Sequence, residues 1–248
     1  MLEENEKTAS RIEDRYYFGP MKEMFEQKVR KVGEVGSLDG LTEVMRGALP
    51  EVEEIIQQRR ANGYIRDIDN TRKSVAGNGF QGLVVYSLIR LQKTGKLNPN
   101  LVITLKPKTH ALIEEYAIIK IGNEVQKPDI DVLVYMHTEP ERYPVMIYSI
   151  KTSLRERAGQ TYRWKLLMDI ATSENCRTIR DKYDLSYEAV GDFKVGLITA
   201  NFYGEIMNPQ QRGMLKFFDF AYITKSGNWE KPVSSFSEVV NDLNTIYG

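Results

Sequence analysis

Two short segments of the chain contain the residues best suited to chemistry. The first is the run Lys127–Asp131, in which Asp129 and Asp131 flank an isoleucine, and the second supplies Ser149 and Lys151 from the next apolar run. Side chains alternate faces along a strand, so each pair lies on one face of its strand if the first strand begins by residue 129. A hairpin would then bring the four polar groups together. Carboxylates bind Mg²⁺ through oxygen, and an ammonium group stabilises charge that develops on a phosphate. The pattern therefore predicts a site for a divalent cation and a phosphate group.

The hydrophobic pattern around these segments predicts a mixed α/β core. Strands are predicted over 116–121, 130–136, 145–151, 194–200 and 218–224, and helices over 78–93, 108–114, 154–172 and 234–247. The loop over 138–144 is short enough to close a hairpin. A helix, three strands, a helix and a further strand make a central sheet flanked by helices, with mixed strand directions.

Residues before this core are charge-dense and predicted to be helical, chiefly over 11–32 and 41–60. Three glycines predict a loop over 32–40, and the run Gly77-Asn78-Gly79 predicts a turn at the start of the next helix. We therefore divide the chain into an N-terminal helical region, 1–76, and a core, 77–248.

Composition excludes several classes of protein. The 248 residues include 34 Lys plus Arg and 34 Asp plus Glu, and this zero net charge excludes a histone-like basic protein and an acidic tail protein. The single cysteine, Cys176, excludes an internal disulfide framework and a multi-cysteine zinc site, and it indicates a reducing, cytoplasmic setting. The acidic N-terminus and the lack of a long apolar run predict neither a signal peptide nor a membrane span.

The two chemical segments also resemble a known family. Pro128-Asp129 followed one strand later by Lys151 resembles the PD-(D/E)XK nuclease signature, and the run Ser149–Arg157 (Ser-Ile-Lys-Thr-Ser-Leu-Arg-Glu-Arg) is similar to a segment of several type II restriction endonucleases. The resemblance covers 77–200. It implies a Mg²⁺-dependent endonuclease of double-stranded DNA, in which Asp129 binds the metal ion while Lys151 orients water and stabilises phosphate charge.

The sequence departs from the family pattern at two positions. Ser149 stands where the family has its second acid, and Gln81 stands at a helix position that often holds glutamate. Some relatives with this serine place the acid farther along the next helix, but the corresponding residues here are Trp164 and Lys165. The remaining candidates for the missing carboxylate are Glu114, Glu115, Asp131 and Glu156. For Glu156 the capping box Ser153-Leu154-Arg155-Glu156 is the favoured alternative.

A basic cluster follows Lys151 and is expected to contact the DNA backbone. The stretch 151–165 contains five basic residues against one acid, although such residues also serve simply to solvate a helix face. The predicted DNA contacts are Arg155, Arg157, Arg163, Lys165 and Gln81. Gln160 is a candidate active-site neighbour, with an ordinary exposed residue as the alternative. Candidates for reading bases lie in 59–73 and in the loop 201–213, which includes Asn201 and Asn208.

The resemblance also implies partners. Cutting two antiparallel strands symmetrically requires two active sites related by a two-fold axis, so we expect a homodimer, with 1–76 supplying dimer contacts or clamping DNA. A DNA methyltransferase of the same system is the expected functional partner. The alternatives are a structure-selective or repair nuclease of the same fold, and a non-catalytic DNA-binding module, which the departures at Ser149 and Gln81 would permit.

Overall fold

Four helices begin the chain in the computed structural model, which describes residues 2–105, 110–154, 158–188 and 192–248. They are α1 (Glu3–Glu13), α2 (Phe18–Leu38), α3 (Leu41–Ala61) and α4 (Ile68–Lys93). The loop predicted over 32–40 is largely wrong, because α2 continues to Leu38 and only Gly33 departs from helical geometry, at φ +78°. No helix in the described ranges is long and apolar enough to cross a membrane.

Helix α4 begins well before the predicted position at residue 78. Asp67 caps it by accepting a hydrogen bond from the Asn70 backbone N–H at 3.0 Å, so the turn predicted at Gly77-Asn78-Gly79 is helical instead. The helix therefore crosses the predicted boundary between 76 and 77 without a break.

A six-stranded mixed sheet forms the centre of the core, as predicted. Its strands are β1 (Leu101–Leu105), β4 (Val132–Met136), β5 (Val145–Lys151), β7 (Phe193–Thr199), β8 (Phe220–Ile223) and β9 (Ser234–Ser235), in the order β1-β4-β5-β7-β8-β9. The pairs β1–β4 and β4–β5 are antiparallel, whereas β5, β7, β8 and β9 run parallel to one another. The predicted hairpin is β4–β5, which pairs Val132 with Tyr148 and Val134 with Met146.

Shorter elements surround this sheet. They are α5 (Ala111–Tyr116), β2 (Ile119–Ile121), β3 (Glu124–Gln126), α6 (Ala158–Thr172), α7 (Arg177–Tyr183), β6 (Leu185–Ser186), α8 (Pro209–Met214) and α9 (Val239–Tyr247). Strands β3, β2 and β6 form a second, three-stranded sheet. The strand predicted from residue 116 begins only at Ile119, because Tyr116 ends α5 and packs, with Ile113, into the core below.

The central sheet separates two apolar clusters. Met146, Tyr148 and Ile150 of β5 pack with α1–α4 and α9 on one face, whereas Val145 and Ile147 pack with α5 and α6 on the other. Alternation along β5 thus fills both clusters. Because the first cluster includes residues from both sides of the predicted boundary, the N-terminal helices and the sheet share one core.

Helix α1 lies along the outer edge of the sheet at β1. The buried side chain of Asn5 donates from Nδ2 to the Leu101 carbonyl at 2.8 Å, and its Oδ1 accepts from the Ile103 backbone N–H at 2.8 Å. These bonds satisfy backbone groups of β1 on the side away from β4.

Candidate active site

The β4–β5 hairpin brings together three of the predicted site residues. Asp129 and Asp131 immediately precede β4, which begins later than predicted, and the Asp131 N–H donates to the Tyr148 carbonyl at 3.0 Å. Lys151 is the last residue of β5. Its Nζ lies 2.7 Å from Oδ2 of Asp129 and 3.0 Å from Oδ2 of Asp131. The structure therefore holds one ammonium between two carboxylates at the end of the hairpin.

Three described groups hold the Asp131 carboxylate. In addition to Lys151, its Oδ2 accepts from the Ile150 backbone N–H at 2.6 Å, and its Oδ1 accepts from Nε2 of Gln81 at 2.7 Å. Burial raises the pKa of the Asp131 carboxyl, and the opposing effects of Lys151 and the Ile150 N–H offset that rise only in part. The carboxylate is thus fixed in position by α4 on one side and β5 on the other.

Asp129 has more access to solvent. A third of its side chain is exposed, against 11% for Asp131 and 7% for Lys151. It faces a cleft of about 670 Å³ whose other walls come from α4, from Gln160 of α6 and from Phe202 and Tyr203 after β7. Gln81 also lines this cleft. The cluster is therefore open on one side to a ligand much larger than water.

The donor set suits a hard divalent cation. The described residues contain no group of three or more His, Cys, Asp or Glu side chains placed to hold a metal ion, so the cleft offers the two carboxylates of Asp129 and Asp131. Mg²⁺ is typically bound by one or two carboxylates, with water and substrate phosphate completing its shell. The residues present therefore fit such an ion.

Ser149 lies away from the cleft. It is fully buried, and its Oγ accepts a hydrogen bond from Oγ1 of Thr161, itself fully buried, at 3.2 Å. Ser149 is not among the described residues that line the cleft. The position at which the family has its second acid is thus filled by a pair of hydroxyl groups between β5 and α6, and the geometry gives no support for a catalytic contact by Ser149.

Three other predicted residues lie outside the cleft. Glu115 is exposed on α5 and Glu114 pairs with Lys127 at 2.5 Å, and neither is among the described residues of the cleft wall. Lys165 is buried, with Nζ 2.6 Å from Oδ1 of Asp169 and 3.8 Å from Oδ2 of Asp219. These pairs do not support a DNA contact by Lys165.

Of the remaining residues predicted to contact DNA or read bases, some are exposed and others are engaged in local structure. Arg163 is exposed on α6, as a DNA contact requires. Arg155, Glu156 and Arg157 lie outside the described residues. In the loop proposed to read bases, the buried Asn201 accepts a hydrogen bond from Ile206 N–H at 3.1 Å, and Asn208 caps α8. Both amides therefore serve local structure.

Sequence reasoning missed part of the cleft. Lys73 and Gly77 line it from α4, and Phe202 and Tyr203 line it from the loop after β7. Lys73 lay within a segment already singled out for its charge. The two aromatic residues lay within the loop 201–213 but were not selected themselves, since an aromatic pair after an apolar strand is equally typical of the core.

Comparison with known proteins identifies the family. The family model described as BsaWI restriction endonuclease, type 2, matches residues 109–246, more than half of the chain. Among solved structures, the complex of restriction endonuclease PspGI with its substrate DNA is similar at a TM-score of 0.47 and 12% sequence identity, over 92% of each chain. The comparison with curated protein sequences gave no match. Restriction endonucleases generally use a divalent metal ion. This chain belongs to the BsaWI family of type 2 restriction endonucleases, and it is a site-specific deoxyribonuclease that hydrolyses phosphodiester bonds in DNA.

Proposed function

We propose that this endonuclease cuts double-stranded DNA with Mg²⁺ at the cluster formed by Asp129, Asp131 and Lys151. The observation that carries the proposal is the position of the Lys151 ammonium, within 3.0 Å of both carboxylates and at the wall of the cleft. A phosphodiester in the cleft would meet a carboxylate pair and a positive charge together, the arrangement that a metal-assisted displacement requires.

Asp129 is the direct ligand in this proposal, because it is the more exposed of the two acids and only Oδ2 is engaged by Lys151. A bound Mg²⁺ supplies Lewis-acid stabilisation of phosphate charge and lowers the pKa of coordinated water. Asp131 is a secondary oxygen donor at most, since each of its oxygens already accepts a hydrogen bond. Its main role is to hold Lys151.

Lys151 orients water and stabilises charge. An ammonium group has three N–H donors, and described carboxylates account for two of them. The third is directed to the attacking water or to a phosphate oxygen in the cleft. The exposed Gln160, which also lines the cleft, contacts the same phosphate or the adjoining nucleotide in this proposal.

The working enzyme is proposed to be a homodimer, with one site for each of the two antiparallel strands. A DNA methyltransferase that protects the same sequence is its expected functional partner. The single cysteine favours a reducing, cytoplasmic location.

Plasmid digestion tests the assignment. With Mg²⁺ we expect discrete bands that EDTA abolishes and that Lys151→Ala removes. Lys165→Ala is the matched control, because Lys165 is also a buried lysine beside two aspartates but lies outside the cleft. Metal-dependent cleavage by Lys151→Ala at the wild-type rate would contradict the assigned roles, and a smear instead of bands would favour a nuclease without a fixed sequence.

A further inference from the structure

A second groove opens beside the active-site cleft, at the first turns of α4. It has a volume of about 500 Å³, and we call it the α4 groove. The residues that matter in its lining are Tyr16, Arg59, Tyr64, Arg66, Asn70 and Ser74. All belong to the N-terminal region, and the proposed active site assigns no role to any of them.

The α4 groove and the cleft share one helix. Asn70 and Ser74 face the groove, whereas Lys73 and Gly77 line the cleft. At 1.5 Å of rise per residue, Asn70 and Gly77 are separated by about 10 Å along the axis of α4. That separation is about three nucleotides of a B-form strand at 3.4 Å each. A DNA strand seated in the cleft therefore extends to the groove within a few nucleotides.

Arg59 is held in the groove by aromatic rings. Its guanidinium lies 4.2 Å from the ring centroid of Tyr16 and 5.0 Å from that of Tyr64. Tyr64 is 72% exposed, although large aromatic side chains are usually buried. The rings fix the guanidinium plane by cation–π contact, which leaves its N–H edges available to an anion.

The charge of the groove is positive. No ion pair among the described residues includes Arg59 or Arg66. The acid in the lining is Asp67, whose carboxylate accepts hydrogen bonds from the backbone and side chain of Asn70 to cap α4. By contrast, the nearby Arg72 of α4 forms ion pairs with Glu53 and Asp69.

We infer that the α4 groove binds the phosphate backbone of the DNA duplex that flanks the cleavage position. The inference rests on the proposed function, since it takes the strand seated at Lys151 as its starting point. Arg59 and Arg66 contact phosphate oxygens with charge-assisted hydrogen bonds, and Asn70 and Ser74 add neutral donors. Such contacts carry no sequence information, so the groove extends the binding site without changing the recognised bases.

The test is the salt dependence of binding, measured by fluorescence anisotropy. The probe is a labelled duplex of about 30 base pairs that contains the cleavage sequence mapped from the plasmid digest, and EDTA prevents cleavage. We expect Arg59→Ala to weaken binding roughly 3- to 10-fold and to reduce the slope of log K against log salt by about 0.9. Arg66→Ala is the second variant, because an exposed arginine is replaced with little risk to folding. Arg72→Ala is the matched control and leaves the slope unchanged.

A duplex with uncharged methylphosphonate linkages about three nucleotides to either side of each cleaved bond locates the effect, because that is the separation between the cleft and the groove. On this probe wild-type and Arg59→Ala proteins should bind equally, since the phosphate charge that Arg59 contacts is already absent. Equal slopes for Arg59→Ala, Arg66→Ala and wild type on the unmodified duplex would overturn the inference, and so would an equal loss on both duplexes. Failure of the proposed function is seen separately, because Mg²⁺-dependent cleavage and its loss in Lys151→Ala do not depend on these slopes.

Discussion

Two lysines in this protein are almost equally buried and have similar charged neighbours, but only one of them lies at the wall of the active-site cleft. Lys151 is 7% exposed and Lys165 is 8% exposed, and each lies beside two aspartates. Lys165 pairs with Asp169 one turn along α6, while its second partner, Asp219, also accepts a hydrogen bond from Val195 N–H. Lys151 instead ends a strand at the wall of a cleft.

If Lys151 is the catalytic lysine, as proposed, then neither burial nor a pair of neighbouring aspartates is enough to identify it. The ammonium group of Lys165, in the middle of a helix packed on the sheet, is engaged by structural partners. The ammonium group of Lys151, at a strand end beside an open cleft, is placed where it can also donate to a ligand. Four substitutions test the distinction between the two lysines and the roles of the residues around them.

Lys151→Ala gives the largest expected change. Removing a preorganised positive charge from a phosphoryl-transfer site typically lowers the rate by about 10²–10³-fold or more. We expect at least that loss in single-turnover cleavage of plasmid DNA, with Lys165→Ala remaining within about threefold of wild type. Equal losses in the two variants would remove the distinction between the lysines.

Gln81→Ala tests the support of Asp131. Gln81 donates to Oδ1 of Asp131 from the cleft wall, and loss of such a supporting contact typically costs about 10- to 100-fold in activity. We expect that loss in kcat with KM nearly unchanged. Gln57→Ala, at an exposed glutamine of α3, is the control. A rise in KM alone would instead assign Gln81 to DNA binding, the role that the sequence suggested.

Lys165→Ala acts on stability. The variant loses the packing of the buried lysine stem and its ion pair with Asp169, at an expected cost of about 1–2 kcal/mol in the free energy of unfolding. Urea denaturation measures this cost. Lys165→Met keeps most of the apolar stem and should recover much of the loss, whereas an unstable Met variant would show that the charge itself stabilises the fold.

Ser149→Ala has the smallest expected effect. Thr161 loses its acceptor, so the free energy of unfolding should fall by about 1 kcal/mol, and cleavage should stay within about threefold of wild type. Thermal unfolding and plasmid cleavage of one preparation provide both values. A loss of cleavage above about 100-fold would restore Ser149 to the catalytic set, where the family signature alone had placed it.

The predictable parts of the fold follow from patterns that packing itself imposes. Strand β5 was predicted at its observed bounds because five of its seven residues, 145–148 and Ile150, are apolar or aromatic. Helix α4 was predicted only from residue 78, because its first turns line the α4 groove and the active-site cleft and carry no apolar stripe. Hydrophobic periodicity in a sequence reports contact with the core, so it does not reveal a helix end that lines an open groove.

The candidate site could also be predicted only in part from the sequence. Asp129 and Lys151 could be selected from their motif and from the hairpin that joins them. The burial of Ser149 could not be predicted, because it depends on α6, which covers the middle of β5 and leaves the end of that strand open. The second partner of Lys165 could not be predicted either, since Asp219 comes from a distant part of the chain.

The side chain of Asn5 has a consequence for how copies of this enzyme can meet. By bonding to the backbone of β1, it occupies positions that another strand would use, and α1 covers the sheet edge. An unprotected edge strand recruits strands from other molecules and leads to aggregation. Here sheet extension through β1 is blocked, so a second copy cannot add a strand at this edge. A deletion that removed α1 would uncover that edge and favour precipitation over a defined assembly.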